Sequence, residues 1–181
     1  VGIDKIKDDF FMEIIPKQDL NEEFSEIIWP RAFEAADISG GDLDSYLVLP
    51  YQQGLILPNN WKGSVPKLHF DGQFYSAAAY MPWLGYVTYG KSWQVILETA
   101  WDTKYKFDHK PGGPTKNICI RWLPSLGKLA YARRIRLILN DNSDYNLLCK
   151  NYRSYMKDLG RFYSLKDKTK HLPSIHKLNG A

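Results

Sequence analysis

The sequence is poor in cysteine and has no long apolar run. Its 181 residues include 2 Cys and 3 Met. No segment approaches the roughly 20 consecutive apolar residues that a membrane-spanning helix requires, so we predict no membrane partner. Cys119 and Cys149 are too few for a disulfide framework, and the sequence leaves open whether they pair with each other.

Familiar catalytic and cofactor-binding motifs are missing as well. The chain has no Gly-x-Ser-x-Gly, no His-Glu-x-x-His, no Cys-x-x-Cys and no phosphate-binding loop. Residues 111–116 superficially resemble such a loop, but they lack the second glycine before the lysine, and their prolines remove amide donors. His171 and His176 have no acidic or thiol companions at metal-ligand spacing. We therefore predict no cofactor and no metal.

Positive charge is concentrated near the C-terminus without forming a nucleic-acid signature. Residues 144–181 contain eight Lys or Arg and three Asp. The whole chain has a net charge of +4. These basic residues are spread among acids along a predicted helix, whereas nucleic-acid binders usually group them beside base-stacking rings. The pattern favours a solvated helix surface, and we predict no nucleic-acid partner.

Aromatic residues are abundant. The chain has 6 Trp, 12 Tyr and 8 Phe, and 44% of its residues are hydrophobic. A chain of this length and composition can bury a sizeable core. Aromatic rings in such number either fill a β-rich core or line a ligand surface.

Short apolar segments separated by Gly and Pro predict a mainly β fold. In residues 129–139, alternate positions share one face, which is the period of a strand. Asp71-Gly72 is typical of a tight hairpin turn. The pattern predicts an antiparallel β-sandwich over residues 1–140. The other predicted strands are 10–15, 46–49, 55–57, 67–70, 73–75, 85–89, 93–99 and 117–123.

The pattern changes to helical after residues 140–143, which offer good N-caps. Apolar residues recur at helical spacing from Tyr145 to Leu159, and Gly160 is the expected stop. Ser and Asp at the ends of residues 164–167 predict a cap for a second short helix. Residues 141–181 are thus predicted to form a helical tail.

Two acidic residues near a tryptophan are the best candidates for a carbohydrate site. Glu98 ends a core-like strand, and Asp102 follows Trp101. Sugars offer flat faces to rings and hydroxyls to carboxylates. The alternative, which the sequence favours for Glu98, is a solvent-facing position or a pairing with an arginine. No second acid is evident at glycosidase spacing, so we predict no catalytic residue.

Three tryptophans adjoin loops, where each is predicted either to cover the edge of the sandwich or to contact a ligand or a partner domain. They are Trp61, Trp83 and Trp101. Trp93 and Trp122 lie within predicted strands and are expected in the core. The predicted carbohydrate-binding residues are therefore Trp61, Trp83, Trp101, Glu98 and Asp102.

Several segments, taken in order and spacing, carry a family resemblance. They are Met81–Gly85, Gln94–Asp102 and Arg121–Leu129, followed in the tail by Asp144-Tyr145, Tyr152–Tyr155, Gly160, Ser164–Lys168 and Leu178–Ala181. Together these residues resemble the N-terminal β-supersandwich region of bacterial glycoside hydrolases related to endo-α-N-acetylgalactosaminidases.

The resemblance implies a galactose-mutarotase-like sandwich joined by a helical linker to a TIM-barrel catalytic domain. The catalytic carboxylates of the family belong to that barrel, so none is assigned to this chain. It also implies an intramolecular barrel partner, a contribution to sugar contact, and a secreted, periplasmic or cell-surface location in a bacterium. The chain is accordingly expected to be one piece of a longer polypeptide.

Three functions follow as hypotheses. The first is a non-catalytic sandwich domain of a secreted glycoside hydrolase. The second is a free-standing carbohydrate-binding module that uses the loop tryptophans. The third is a mutarotase-like enzyme in which Glu98 or Asp102 acts with His69.

Overall fold

The computed structural model describes residues 2–4, 9–17, 25–30, 33–35, 45–58, 68–73, 79–109 and 116–178. The chain divides into two compact units, Val1–Tyr145 and Asn146–Ala181. Among the described residues, no helix combines the length and apolarity needed to cross a bilayer.

The first unit is built from strands, of which twelve lie within the described residues. They are β1 (Gly2–Asp4), β2 (Asp9–Ile14), β3 (Ile27–Ile28), β4 (Phe33–Ala35), β5 (Ser45–Leu49), β6 (Leu55–Pro58), β7 (Leu68–Gln73), β8 (Trp83–Thr88), β9 (Lys91–Leu97), β10 (Thr103–His109), β11 (Lys116–Trp122) and β12 (Arg133–Asn140).

These strands form two antiparallel sheets. In the described part of the chain, one sheet has seven strands in the order β1-β2-β12-β9-β8-β5-β6. The other has the order β3-β11-β10-β7, with β4 also pairing β11. The β9–β12 register places Leu97 opposite Ile135. In the second sheet, Thr103 lies opposite Trp122.

The core lies between the two sheets. Alternate residues of β9 point into it, as Val95 and Leu97 do at 0% and 1% exposure. Trp122 comes from the other sheet, is fully buried, and donates its indole N–H to the Trp29 carbonyl at 2.6 Å. Each such large side chain contributes roughly 1.5–3 kcal/mol by its burial. The predicted antiparallel β-sandwich is therefore confirmed, with helices after it.

Two predicted details are wrong. Asp71-Gly72 is not a hairpin turn, because both residues lie inside the continuous strand β7 and pair with Lys106 and Tyr105 of β10. Pairing along a whole neighbouring strand outweighs the local turn preference of two residues. The strand predicted from residue 129 begins only at Arg133, because Ser125 and Lys128 close a tight turn just before it.

The second unit is helical. Helix α1 (Tyr145–Asp158) begins at the predicted residue, and α2 (Leu165–His171) is followed by a 3-10 helix, Pro173–Leu178. Gly160 has a φ of 66° and donates its N–H to the Lys157 carbonyl, which ends α1 as expected.

Candidate functional site

The three central candidates lie together after the end of β9. Glu98 directly follows β9, and Trp101 and Asp102 form the turn into β10. The Thr103 hydroxyl donates to the Thr99 and Trp101 carbonyls at 3.3 and 3.1 Å, which holds this turn closed. Asp102 has a φ of 54°, a left-handed conformation that aspartate tolerates better than most residues.

Glu98 is held between two arginines. Its Oε2 lies 2.5 Å from the Arg134 Nε, and its Oε1 accepts a hydrogen bond from the Arg136 Nε at 2.7 Å. Arg136 also contacts the Asp9 Oδ2 at 3.1 Å. The four residues form a balanced chain of charges, and Arg134 stacks over the Phe11 ring at 4.0 Å. Of the alternatives considered for Glu98, the structure shows the pairing with arginine.

Asp102 is occupied by neighbours in the same way. Its Oδ2 accepts the Tyr131 hydroxyl at 2.9 Å and lies 3.8 Å from the Arg133 NH2 group. The Asp102 carbonyl accepts the Leu123 N–H at 2.7 Å. Because its side chain remains 35% exposed, Asp102 borders the surface while it anchors the turn.

Arg133 is the residue of this region that sequence reasoning missed. It is fully buried, donates to the Leu123 carbonyl at 3.0 Å, and its guanidinium lies 3.4 Å from the centre of the Tyr131 ring. Burial lowers its pKa, and the charge of Asp102 opposes that shift. An arginine at an inward position of an apolar strand is the signal that could have identified it.

The predicted tryptophans have separate positions. Trp101 is 67% exposed, so its ring is available at the surface beside Asp102. Trp83 is 2% exposed and begins β8, where it lines a small apolar cavity with Tyr51, Ala79 and Tyr105. Trp83 adjoins a loop as predicted, and its ring belongs to the interior. The third, Trp61, lies outside the described residues.

Among the strand tryptophans, Trp122 is in the core as predicted, and Trp93 packs against the core while partly buried. The side chain of His69 lies outside the described part of the structure. Of the two acids in the third hypothesis, Glu98 has both carboxylate oxygens bound by arginines, and Asp102 has its Oδ2 bound by Tyr131.

No metal centre is evident in the described ranges, where three or more His, Cys, Asp or Glu do not gather. His171 and His176 are exposed on the second unit. Cys119 and Cys149 are both free thiols, which answers the question of a bond between them.

Comparison with known proteins finds similarity to solved structures of a glycosidase. No protein-family model and no curated protein sequence matches the chain. The solved structure of the alpha-N-acetylgalactosaminidase NagBb from Bifidobacterium bifidum with GalNAc matches with a TM-score of 0.84 and 28% identity. A quadruple mutant of NagBb matches with a TM-score of 0.85 and 29% identity. Ligand-free NagBb matches with a TM-score of 0.81 and 29% identity.

The match covers nearly all of this chain and a minor part of NagBb. It spans 95% of this chain and 27% of NagBb in the GalNAc complex, and 97% and 28% in the quadruple mutant. The structure therefore matches a domain-sized part of a glycoside hydrolase. This confirms the resemblance found in the sequence.

Proposed function

We propose that this chain is a non-catalytic β-sandwich domain of a glycoside hydrolase, which supports a TIM-barrel catalytic domain in the same polypeptide. The sandwich would occupy residues 1–140, and the helical tail, residues 141–181, would lead toward the barrel. The observation that carries the proposal is the match at 28–29% identity over 95–97% of this chain but only 27–28% of NagBb.

The site geometry supports a structural role for the two acids. A glycosidase needs one carboxyl group to protonate the leaving oxygen and another to act as nucleophile or base. Both Glu98 oxygens are engaged by arginines, and the Asp102 Oδ2 accepts from Tyr131. These contacts fit residues that fix the end of the sandwich, and they leave catalysis to the other domain.

The substrate class follows from the relative. NagBb is named for α-N-acetylgalactosaminides, so we expect the complete polypeptide to hydrolyse a terminal α-linked N-acetylgalactosamine. It would act outside the cytoplasm, in the secreted, periplasmic or cell-surface fraction. Cell fractionation followed by immunoblotting tests this location, and a purely cytoplasmic signal would contradict it.

The gene provides the direct test of the domain arrangement. The reading frame that encodes this chain should also encode a second, larger region with paired acidic residues. Purified native protein should have a mass well above the 21.0 kDa of this chain. A native product of 21.0 kDa with no further region would refute the proposal.

A carbohydrate-binding module is the second candidate, and the exposed ring of Trp101 next to Asp102 is what favours it. A glycan array on the native protein should then show binding that Trp101→Ala removes. The buried Trp83 supplies the control position, because Trp83→Phe should leave such binding intact. Absence of glycan binding by the wild-type protein would count against this candidate.

A further inference from the structure

The turn between β8 and β9 presents an aromatic ring in a backbone conformation that aromatic residues rarely adopt. Thr88 pairs with Lys91, so Tyr89 and Gly90 form a two-residue hairpin loop. Their φ angles are 46° and 72°, and positive values at both positions are the type I′ pattern. This turn favours Asn, Asp or Gly at its first position, whereas Tyr89 is bulky and 55% exposed. A strained residue with so exposed a ring points to a role at the surface.

The segment between β12 and α1 is fixed against this turn. The Ser143 N–H donates to the Gly90 carbonyl at 2.5 Å, and the Ser92 hydroxyl donates to the Ser143 hydroxyl at 2.7 Å. The Asn140 side chain donates to the Ser92 hydroxyl at 3.1 Å. Both serines are buried, so these polar contacts are shielded from water and hold the segment in one position.

Two exposed tyrosines flank this fixed contact. Tyr89 directly precedes Gly90, and Tyr145 lies two residues after Ser143. Tyr145 is 44% exposed, so the rings of both tyrosines reach solvent. The Tyr145 N–H donates to the Tyr46 hydroxyl at 3.2 Å, which holds the start of α1 in place. All of these residues belong to the first unit.

Two exposed polar side chains lie in the same segment. Asp141 is 83% exposed, and its pair with Lys91 is 3.9 Å long, which exceeds the length of a hydrogen bond. Its carboxylate is therefore accessible to a hydroxyl group. Asn142 is also exposed and has a φ of 50°. We call the exposed side chains of Tyr89, Asp141, Asn142 and Tyr145 the tyrosine surface.

The chemistry of the tyrosine surface fits a neutral sugar. A pyranose offers a flat apolar face to an aromatic ring, and its hydroxyls bond to carboxylate and amide groups. Asp141 and Asp144 together outweigh Lys91, so the local charge repels an anionic ligand. A neutral polyol needs no compensating charge, and Asp141 and Asn142 offer it one acceptor group and one group that both donates and accepts.

We propose that the tyrosine surface binds a neutral pyranose residue of a glycan. The apolar face of the sugar stacks on Tyr89, Tyr145 borders it, and Asp141 and Asn142 bond to its hydroxyls. Because buried serines already hold the segment in place, little order is lost on binding. The site lies at the end of β9 opposite Trp101, so it is distinct from the carbohydrate candidate there and does not depend on a catalytic domain.

Tyrosine-selective chemical labelling of the complete native gene product tests the site, with free N-acetylgalactosamine, galactose and glucose as the probes. Tyr80 is the reference residue, because it is 59% exposed and precedes the other end of β8. We expect at least one of these sugars to reduce the labelling of Tyr89 and Tyr145 several-fold and to leave Tyr80 unchanged. Unchanged labelling with all three sugars overturns the inference. Protection of both tyrosines before any sugar is added also overturns it, because a protein would then cover the surface.

A matched pair of variants makes the test specific. Tyr89→Asn and Leu126→Asn both place asparagine at a left-handed position, with φ of 46° and 53°, where asparagine is tolerated, so both variants should fold. Tyr89→Asn should abolish the protection of Tyr145 by sugar, and Leu126→Asn should retain it. Protection of Tyr145 that survives Tyr89→Asn overturns the inference.

The outcomes separate this inference from the proposed function. A gene product with a glycosidase region in which no sugar protects Tyr89 refutes the sugar site alone. A gene product without any further region, in which sugar still protects Tyr89, supports the site and refutes the proposed function alone.

Discussion

Replacing Glu98 by glutamine should destabilise the sandwich, because it removes the central charge of the chain Asp9–Arg136–Glu98–Arg134. The carboxylate contacts the two arginines at 2.5 and 2.7 Å, as measured to Arg134 and Arg136. Glutamine keeps the shape of the side chain but leaves Arg134 without its carboxylate partner. Arg136 keeps its contact with Asp9.

The size of the effect follows from burial. The side chains of Glu98 and Arg136 are 13% and 11% exposed, whereas Arg134 is 31% exposed. Breaking a fully buried ion pair costs about 3–5 kcal/mol, and a hydrogen bond to a charged group contributes about 1.5–3 kcal/mol. Since one arginine is partly solvated and the other retains Asp9, we expect Glu98→Gln to lower the free energy of unfolding by about 2 kcal/mol.

Urea unfolding followed by tryptophan fluorescence measures this difference. A loss of this size lowers the Tm of a 150–250-residue protein by about 4–8 °C. The control is Asp141→Asn, which makes the same acid-to-amide change in an exposed pair with Lys91, 3.9 Å long and 76% and 83% exposed. That variant should change stability by less than about 0.5 kcal/mol. If Glu98→Gln lowers the free energy of unfolding no more than Asp141→Asn does, the charges around Glu98 do not stabilise the sandwich.

Three further predictions concern the core, a helix end and a helix cap. Trp122→Phe removes the hydrogen bond to the Trp29 carbonyl and leaves a cavity. The free energy of unfolding, measured by urea denaturation, should therefore fall by about 2–4 kcal/mol. An unchanged value would contradict this. Gly160→Ala should lower the free energy of unfolding by about 1 kcal/mol, because a φ of 66° is strained for alanine. A variant that is more stable than the wild type in the same assay would contradict this. Hydrogen bonds from Ser164 hold the pKa of Asp167 below its ordinary 3.8 in the folded protein. The charged carboxylate therefore stabilises α2 fully above pH 3.8, and this stabilisation is lost as the pH falls through the pKa of the folded state. NMR titration of the Asp167 carboxyl should find that lower pKa, and a value above 3.8 would contradict the cap.

Local patterns in the sequence were sufficient for the fold class. Residues with period-two alternation became strands, and the apolar stripe that begins at Tyr145 became α1. The alternation of apolar residues predicted burial less well at the ends of strands. Ile135 is fully buried, but Leu139, on the same face of β12, is 60% exposed because it lies near the end of that strand.

The position of a tryptophan could not be read from its neighbours in sequence. Trp83 and Trp101 both adjoin turn residues, yet they are 2% and 67% exposed. Trp83 lines a cavity together with Tyr51 and Tyr105, which are distant from it in the chain. Burial of this kind depends on how the sheets pack, and local composition does not encode that packing.

The environment of Glu98 was likewise only half predictable. The alternation of β12 placed Arg134 and Arg136 on one face, but which acid they meet depends on strand register. The pairing of Leu97 with Ile135 brings Glu98 beside them. Register is fixed by the whole sheet, so the sequence could offer an arginine partner as an alternative without naming it.

Hydrolysis of an aryl α-N-acetylgalactosaminide shows whether the chemistry lies in this sandwich or in a further domain of the polypeptide. We expect turnover by the complete gene product, equal turnover per folded molecule when Glu98 is replaced by glutamine, and none by residues 1–181 alone. Turnover by residues 1–181 that Glu98→Gln abolishes would place the chemistry within this sandwich and refute the proposed function.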